Sequence, residues 1–332
     1  MIILCVCFFS RADAQFVKGD TSILSAEVIA AHLNFLANDS LRGRGNYTKE
    51  LHVAAEYIAS QFQQLNLQVL PPFKSYYQLF TGKTSNKGVD KSDTLMAADY
   101  QKVLKNVIGV LPGTTKPSEI VIFSAHYDHM GSTGPAARNI FNGANDNASG
   151  VAAMLALAQY YATRKDNSRT LVFCAFAGEE LGLLGSKVLA DGINAQMITC
   201  MINLEMLGRY ARRNKNSFFI TGAQHSNVAQ IMKENLKGHS VRISREPSME
   251  KQLFARSDNY PFALKGIPAH TIMSGDDDDP CYHQTCDEVQ RLDIVNMEAI
   301  VRAVATGVET IVNGADTPTR IKKLAHLYTD RD

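Results

Sequence analysis

The sequence predicts an α/β fold, a three-layer sandwich in which one sheet carries helices on both faces. Three features predict it. Apolar runs of five to eight residues recur along the chain, they alternate with segments of helical periodicity, and no internal repeat or composition break divides them. A sheet wetted on one face would alternate apolar with polar residues. Runs such as TLVFCAF and MITCMI are apolar almost throughout, which points to burial on both faces.

Taken in order, Ser25 to Ala37 reads as a helix with Ser25 as its N-cap. Thr48 to Leu65 reads as a second helix, because Leu51, Ala54, Ile58, Phe62 and Leu65 step by three or four and form one buried face. Between them SLRGRGNYT is polar and glycine-rich, a loop, and Gly82 to Ala98 is expected as a surface loop or exposed hairpin. NVIGVLPG and EIVIFSAHYD read as strands, Val151 to Tyr161 as a buried helix, and TLVFCAFAG as a strand leading into a helix over ELGLLGSKVLADG. MITCMINLEM, SFFITG and AHTIMSG supply further strands. Asp293 to Val312 closes as one long helix with Ile294, Met297, Ile300, Val301, Val304 and Val308 on one face. Residues 15–318 then form a single domain, and 319–332 a polar tail.

The formal net charge of +1, with no Lys/Arg cluster standing out, gives no sign of a nucleic-acid surface, and no nucleic-acid partner is expected. The first fourteen residues read as a cleaved export signal. Ile2 to Phe9 is apolar but too short to cross a bilayer, and Ala12-Asp13-Ala14 is a small-residue cleavage pattern, although no basic residue precedes the apolar run. No other segment is long and apolar enough to span a membrane, so the mature protein is expected in the periplasm or outside the cell, free of the membrane. Cys5 and Cys7 leave with the signal. Cys174 and Cys200 sit in apolar runs and read as inert core thiols. Cys281 and Cys286, five apart in a polar loop, can close a small disulfide in an oxidising compartment. The acidic run Asp276 to Asp279 is expected as a solvated loop; were it to rim a crevice, it would steer basic substrates.

Five clusters of acids and histidines are associated with strand ends, where open α/β sheets place their ligand crevice. His126 and Asp128 share FSAHYDHMG; at spacing i, i+2 in an extended segment they point the same way, so Asp128 can accept the second imidazole N–H. His126 could equally be a satisfied core histidine, and its neighbour His129 is read as exposed. Asp146, in NGANDNASG, precedes a helix, ordinarily a capping position, but Asn147 and Ser149 are better placed to cap, and Gly143, Ala144, Ala148 and Gly150 leave room for backbone to approach a ligand. Glu179 and Glu180 open the helix after a strand. The dipole explains one of them, while their divergent directions suit one metal ligand and one general base. Glu205 is a lone acid at the end of an apolar strand, costly to bury unless paired or metal-bound. His283 lies between Cys281 and Cys286, beside Tyr282. Imidazoles and carboxylates without thiolates suit zinc, cobalt or manganese in a catalytic site.

The ordered set SAHYDHMG, GANDNASG, AGEELGLLGS, NLEMLGR and YHQTCDEV resembles the co-catalytic di-zinc aminopeptidases, zinc exopeptidases related to glutamate carboxypeptidase, and LRGRGNYTKELHVAAEYIASQF resembles their N-terminal segment. The resemblance covers about residues 25 to 312. It implies a mixed, mostly parallel sheet of eight strands, and two Zn2+ ions, for which Co2+ or Mn2+ could substitute. His126, Asp146 and Glu205 would hold one ion and Asp146, Glu180 and His283 the other, with Asp146 bridging. Glu179 would be the general base acting on a metal-activated water, Asp128 would orient His126, and Tyr282 matches a position that in some members donates to the developing oxyanion. Substrates would be peptides with a free N-terminus, and a monomer is favoured. One position departs: where the family more usually has Asp, this chain has Glu205, one methylene longer.

Other readings share the scaffold. Glutaminyl cyclases use a single zinc and line their pocket with indoles, whereas this chain has no Trp. A dipeptidase or carboxypeptidase would use the same centre, and a non-catalytic relative would have lost ligands that are all present here. There is no G-x-S-x-G elbow and no G-x-G-x-x-G loop to suggest other chemistry.

Overall fold

The computed structural model describes residues 21–82, 103–134, 138–210, 214–247, 250–322 and 324. The expected export signal, most of the expected loop from Gly82 to Ala98 and most of the expected C-terminal tail lie outside the described residues. The chain begins with helices α1 (Ala26–Leu36) and α2 (Lys49–Gln64), each started by a hydroxyl, Ser25 and Thr48, that accepts a backbone N–H of the first turn. Then come β1 (Gln68–Val69), β2 (Tyr77–Phe80), β3 (Leu104–Leu111), β4 (Lys116–His126), β5 (Gly131–Thr133), β6 (Asn139–Phe141) and α3 (Ser149–Arg164). The second half is β7 (Arg169–Phe176), α4 (Leu184–Gly192), β8 (Ile198–Glu205), β9 (Ser217–Ile220), α5 (Val228–Asn235), β10 (Arg242–Ile243), α6 (Asn259–Ala263), β11 (Ala269–Met273), α7 (Ile294–Gly307) and α8 (Glu309–Val312).

The main sheet runs β1-β3-β7-β4-β8-β11-β9-β10, with β2 also on β3. β7 takes one edge of β3, so β1 and β2 lie end to end on the other, and nine segments make a sheet eight strands wide. The centre, β7-β4-β8-β11, is parallel, while β3 and β9 pair antiparallel with it, as a mixed, mostly parallel sheet requires.

The apolar strands serve two cores because successive side chains point to opposite faces. Val121, Phe123 and Ala125 of β4, with Leu171, Phe173 and Ala175 of β7, pack with residues of α1, α2, α3 and α7. Ile120 and Ile122, with Val172, Cys174 and Phe176, pack with α4 and α6 through Leu189, Ala190, Phe262 and Ala263. Cys174 and Cys200 are free and buried, as read from their apolar context.

Three expectations need correction. The closing helix is not continuous: it breaks at Val308 between α7 and α8. The helix expected from Glu180 begins only at Leu184, because Gly182 and Leu183 adopt left-handed backbone at φ 93° and 62°. The glycine-rich SLRGRGNYT is not loop throughout: 3-10 turns run over Asp39–Arg44, interrupted by left-handed backbone at Arg42 and Gly43, φ 45° and 70°. Beyond Pro318, Ile321 is buried and the Arg320 guanidinium donates to the carbonyls of Ala195 and Ile198.

Candidate metal centre

The parallel strands deliver the first groups. His126 ends β4 and Glu205 ends β8, and these strands are hydrogen-bonded neighbours. Asp146 lies in the turn before α3, which is tied to the end of β8 by asparagines. Asn147 Oδ1 accepts the N–H of Met206 and of Gly150, its Nδ2 donates to the Leu204 carbonyl, and Asn145 Oδ1 accepts the Gly208 N–H. From the other side Asp287 accepts the backbone N–H groups of Asn145 and Asp146 at 2.8 and 3.0 Å. The small residues of GANDNASG therefore admit protein backbone rather than ligand: a Cβ on Gly150 would sit 2.1 Å from the Leu204 carbonyl oxygen.

Glu179 and Glu180 lie in the turn after β7, not on a helix N-terminus, so the dipole has no part in placing them. Asp128 holds that turn instead. Its carboxylate accepts the N–H groups of Glu179 and Glu180 at 3.2 and 3.3 Å and Asn46 Nδ2 at 2.7 Å. His126 Nδ1 is 3.2 Å from the Asp128 backbone carbonyl and 3.8 Å from its carboxylate, too far for a hydrogen bond to the latter. His283 has left-handed backbone, φ 54°, in a loop whose Cys281 and Cys286 stand at disulfide distance, Cα atoms 5.3 Å apart. Tyr282 stacks on the His283 ring, centroids 3.9 Å apart.

These segments converge on Asp146. One of its oxygens lies 3.3 Å from His126 Nε2 and the other 3.1 Å from His283 Nε2, which is also 3.3 Å from Glu180. Two ligand groups result, His126–Asp146–Glu205 and His129–Asp146–Glu180–His283, sharing Asp146. His129 corrects the sequence reading. It is 1% exposed, with Nδ1 2.8 Å from Glu180. The Nε2 atoms of His126, His129 and His283 are buried without hydrogen-bond partners. Imidazole and carboxylate donors aimed at shared points, with no thiolate among them, fit zinc, cobalt or manganese.

The electrostatics agree with that fit. Burial works against the charge of Asp146, but the His126 and His283 imidazoles hold it well below the usual carboxylate range. Glu180 is likewise disfavoured by burial and brought down to about 2 by His129 and His283. Burial raises Glu205 to about 7 and Glu179 well above its ordinary value, each pushed further by neighbouring carboxylates. Cations among these acids would favour their charged forms, as imidazolium or a metal ion does.

A small pocket opens beside the centre, lined by Glu179, Glu205 and Tyr282 and by the apolar Met206, Leu253 and Met273. Asp277 and Arg256 also line it, so the acidic run does reach the crevice. It is not a solvated loop of free charge, however. Lys251 Nζ lies 3.4, 2.7 and 2.8 Å from Asp276, Asp277 and Asp278, Arg256 bonds Asp277 at 2.7 Å, and Arg209 reaches Asp279 at 3.0 Å.

Sequence reasoning missed three supports. Arg44, fully buried, donates to the carbonyls of Leu36, Tyr127, Asn142 and Gly143 and so pins the segments carrying His129 and Asp146. Asp287 was visible only as part of a quoted motif. The Ser257 hydroxyl donates to the Glu205 carboxylate and accepts from Asn203 Nδ2. No periodicity marks such residues, since their role depends on distant backbone.

Comparison with known proteins follows the same lines. Residues 106–308 match the model of peptidase family M28. A "probable zinc metalloprotease" of Pyrenophora tritici-repentis is 35% identical over 139 residues, 37% of this chain and 32% of that protein. An aminopeptidase of Bacillus subtilis, YwaD, is 27% identical over 227 residues, 66% of this chain and 47% of that one. The chain thus spans about a third to a half of the length of these relatives. The structure of a zinc aminopeptidase from Bacillus subtilis superposes with a TM-score of 0.65 at 17% identity, covering 89% of this chain and 97% of that one, which supports the fold. With the family model matching more than half of its length, the chain belongs to peptidase family M28.

Proposed function

We propose that this protein is an aminopeptidase that uses two metal ions to hydrolyse the N-terminal peptide bond of peptides with a free amine. The observation that carries this reading is the division of Asp146: its two oxygens face His126 and His283, in two separate groups of ligand atoms. In this reading His126, Asp146 and Glu205 hold one Zn2+ and Asp146, Glu180 and His283 the other. Such a pair polarises a scissile carbonyl, lowers the pKa of water towards 7 and can anchor the substrate amine.

The chain's own residues do the rest. Glu179 stands in the pocket wall, its pKa raised by burial, where its carboxylate can take a proton from the attacking water and return it to the leaving nitrogen. Tyr282 shares the wall, so its hydroxyl can donate to the carbonyl oxygen as that gains charge. Asp128 sets the Glu179–Glu180 turn and, through its carbonyl, the His126 ring. Met206, Leu253 and Met273 suit an apolar first side chain. Export is part of the proposal, with a leader ending at Ala14 and a disulfide between Cys281 and Cys286. Among the described residues no helix is long and apolar enough to cross a membrane.

The test is metal analysis combined with an aminoacyl-anilide panel. Two ions per chain and chelator-sensitive release of the anilide are expected. One ion with pyroglutamate formation would replace this reading by the cyclase, and cleavage only of blocked N-termini would replace it by a carboxypeptidase.

A further inference from the structure

One histidine of the centre belongs to neither proposed ligand set. His129 lies three residues beyond His126, and its backbone is tied to one neighbouring segment: its N–H donates to the Arg44 carbonyl at 3.2 Å, and it bridges to Gly45. Its ring lies against Gly143, where a Cβ would come within 2.4 Å of it, and edge-on to His283, centroids 5.5 Å apart. The Arg44 side chain, bonded to the carbonyls of Tyr127, Asn142 and Gly143, fixes both walls of this slot. The ring has little freedom to turn.

In that slot Nδ1 of His129 faces Oε1 of Glu180 at 2.8 Å, but is 3.8 Å from Asp146, beyond hydrogen-bond reach. The other oxygen of Glu180, Oε2, is the one that faces His283 Nε2, at 3.3 Å. Glu180 is thus divided between two partners, one oxygen to each. We propose that His129 is a positioning residue: its Nδ1–H donates to Glu180 Oε1, stops the carboxylate rotating, and leaves Oε2 as the oxygen presented to the second ion. The proposal rests on the two-ion reading above. A carboxylate free to swing must be ordered when the ion binds, whereas one already held by a donor is not, and such outer partners are typically worth about 10- to 100-fold in metal affinity.

Two substitutions separate donation from packing and from direct coordination. In His129→Asn the side-chain Nδ2 keeps a donor near the position of imidazole Nδ1; in His129→Leu no donor remains. Zinc affinities of the two sites are read by chelator competition, and the visible spectrum by Co2+ substitution. The wild-type protein should bind two ions. His129→Leu should weaken only the second, by about 10- to 100-fold, while His129→Asn keeps it within about threefold and leaves the Co2+ spectrum unchanged. Unaltered second-site affinity in His129→Leu overturns the proposal. So does a His129→Asn variant as weak as His129→Leu, or one with a changed Co2+ spectrum, since the ring would then act by packing or as a ligand. Fewer than two ions in the wild-type protein would instead remove the two-ion reading, and this proposal with it.

Discussion

The two halves of the centre are built in different ways. His126 and Glu205 stand at the ends of adjacent parallel strands, held by the sheet's own hydrogen bonds. Glu180, His129 and His283 stand outside the strands of the main sheet: the Asp128 carboxylate accepts the Glu180 N–H, the Arg44 backbone carbonyl accepts the His129 N–H, and His283 lies in the loop between Cys281 and Cys286. Sheet geometry therefore serves one half and a set of specific contacts the other. The contact-built half should be the easier to loosen, and the following measurements test that difference.

The largest effect should come from Glu179, which touches neither scheme alone. Glu179→Gln should keep both ions and the fold while kcat falls about 10²- to 10⁴-fold or more. Loss of an ion in this variant would mean that Glu179 is structural to one half, and near-normal turnover would move the base elsewhere, first to Tyr282.

Next is the His283 loop. Mass spectrometry of the unreduced protein should find Cys281 and Cys286 as one cross-linked species. Changing both to Ala should weaken the second ion by about tenfold and the first by less, because His283, which lies in that loop, belongs to the second group alone. Equal weakening of both ions would show that the halves are not separable.

The sheet half has its own weak point, in acid. Burial lowers His270 of β11, the strand beside β8, from the ordinary value of 6.5 to about 4. The folded protein keeps this imidazole neutral, while the unfolded chain takes up a proton as the pH drops below 6.5. Its contribution is therefore full above pH 6.5 and is lost as the pH falls towards 4, by up to about 1.4 kcal/mol per unit. Denaturant titrations should show that slope, and His270→Gln should flatten it. An unchanged slope would take His270 out of the account.

The smallest effect is expected from the acidic run. With Lys251, Arg256 and Arg209 already paired to it, changing Asp276 and Asp278 to Asn should alter the kcat/KM ratio of Lys- to Leu-initiated peptides by less than about twofold at any salt concentration. A basic preference that fades with salt and disappears in the variant would make the run a steering element after all.

The legibility of the molecule follows the same division. TLVFCAF and MITCMINLE could be recognised as buried strands because burial on both faces leaves a continuous apolar record in the chain. The acids and histidines after them could then be assigned to one crevice. The composition around Glu180 is helical and so predicts a helix start there; the left-handed residues at Gly182 and Leu183 that delay the helix leave no such record. His129 looked exposed because it stands in a polar segment, and what buries it is the backbone of Gly143, fourteen positions away in the chain.

Residue order alone carries the layered fold, the order of the strands' chemical groups and the kind of ion they suit, since these depend on side-chain type and local period. Folding alone settles which oxygen faces which imidazole, that Asp128 braces the Glu179–Glu180 backbone, that Arg44 pins the segments carrying His129 and Asp146, and that Lys251, Arg256 and Arg209 pair with the acidic run. Those outcomes depend on hydrogen bonds between segments far apart in the chain. A hydrogen bond needs its partners within about 3.2 Å and in the right direction, and residue type and spacing do not specify either.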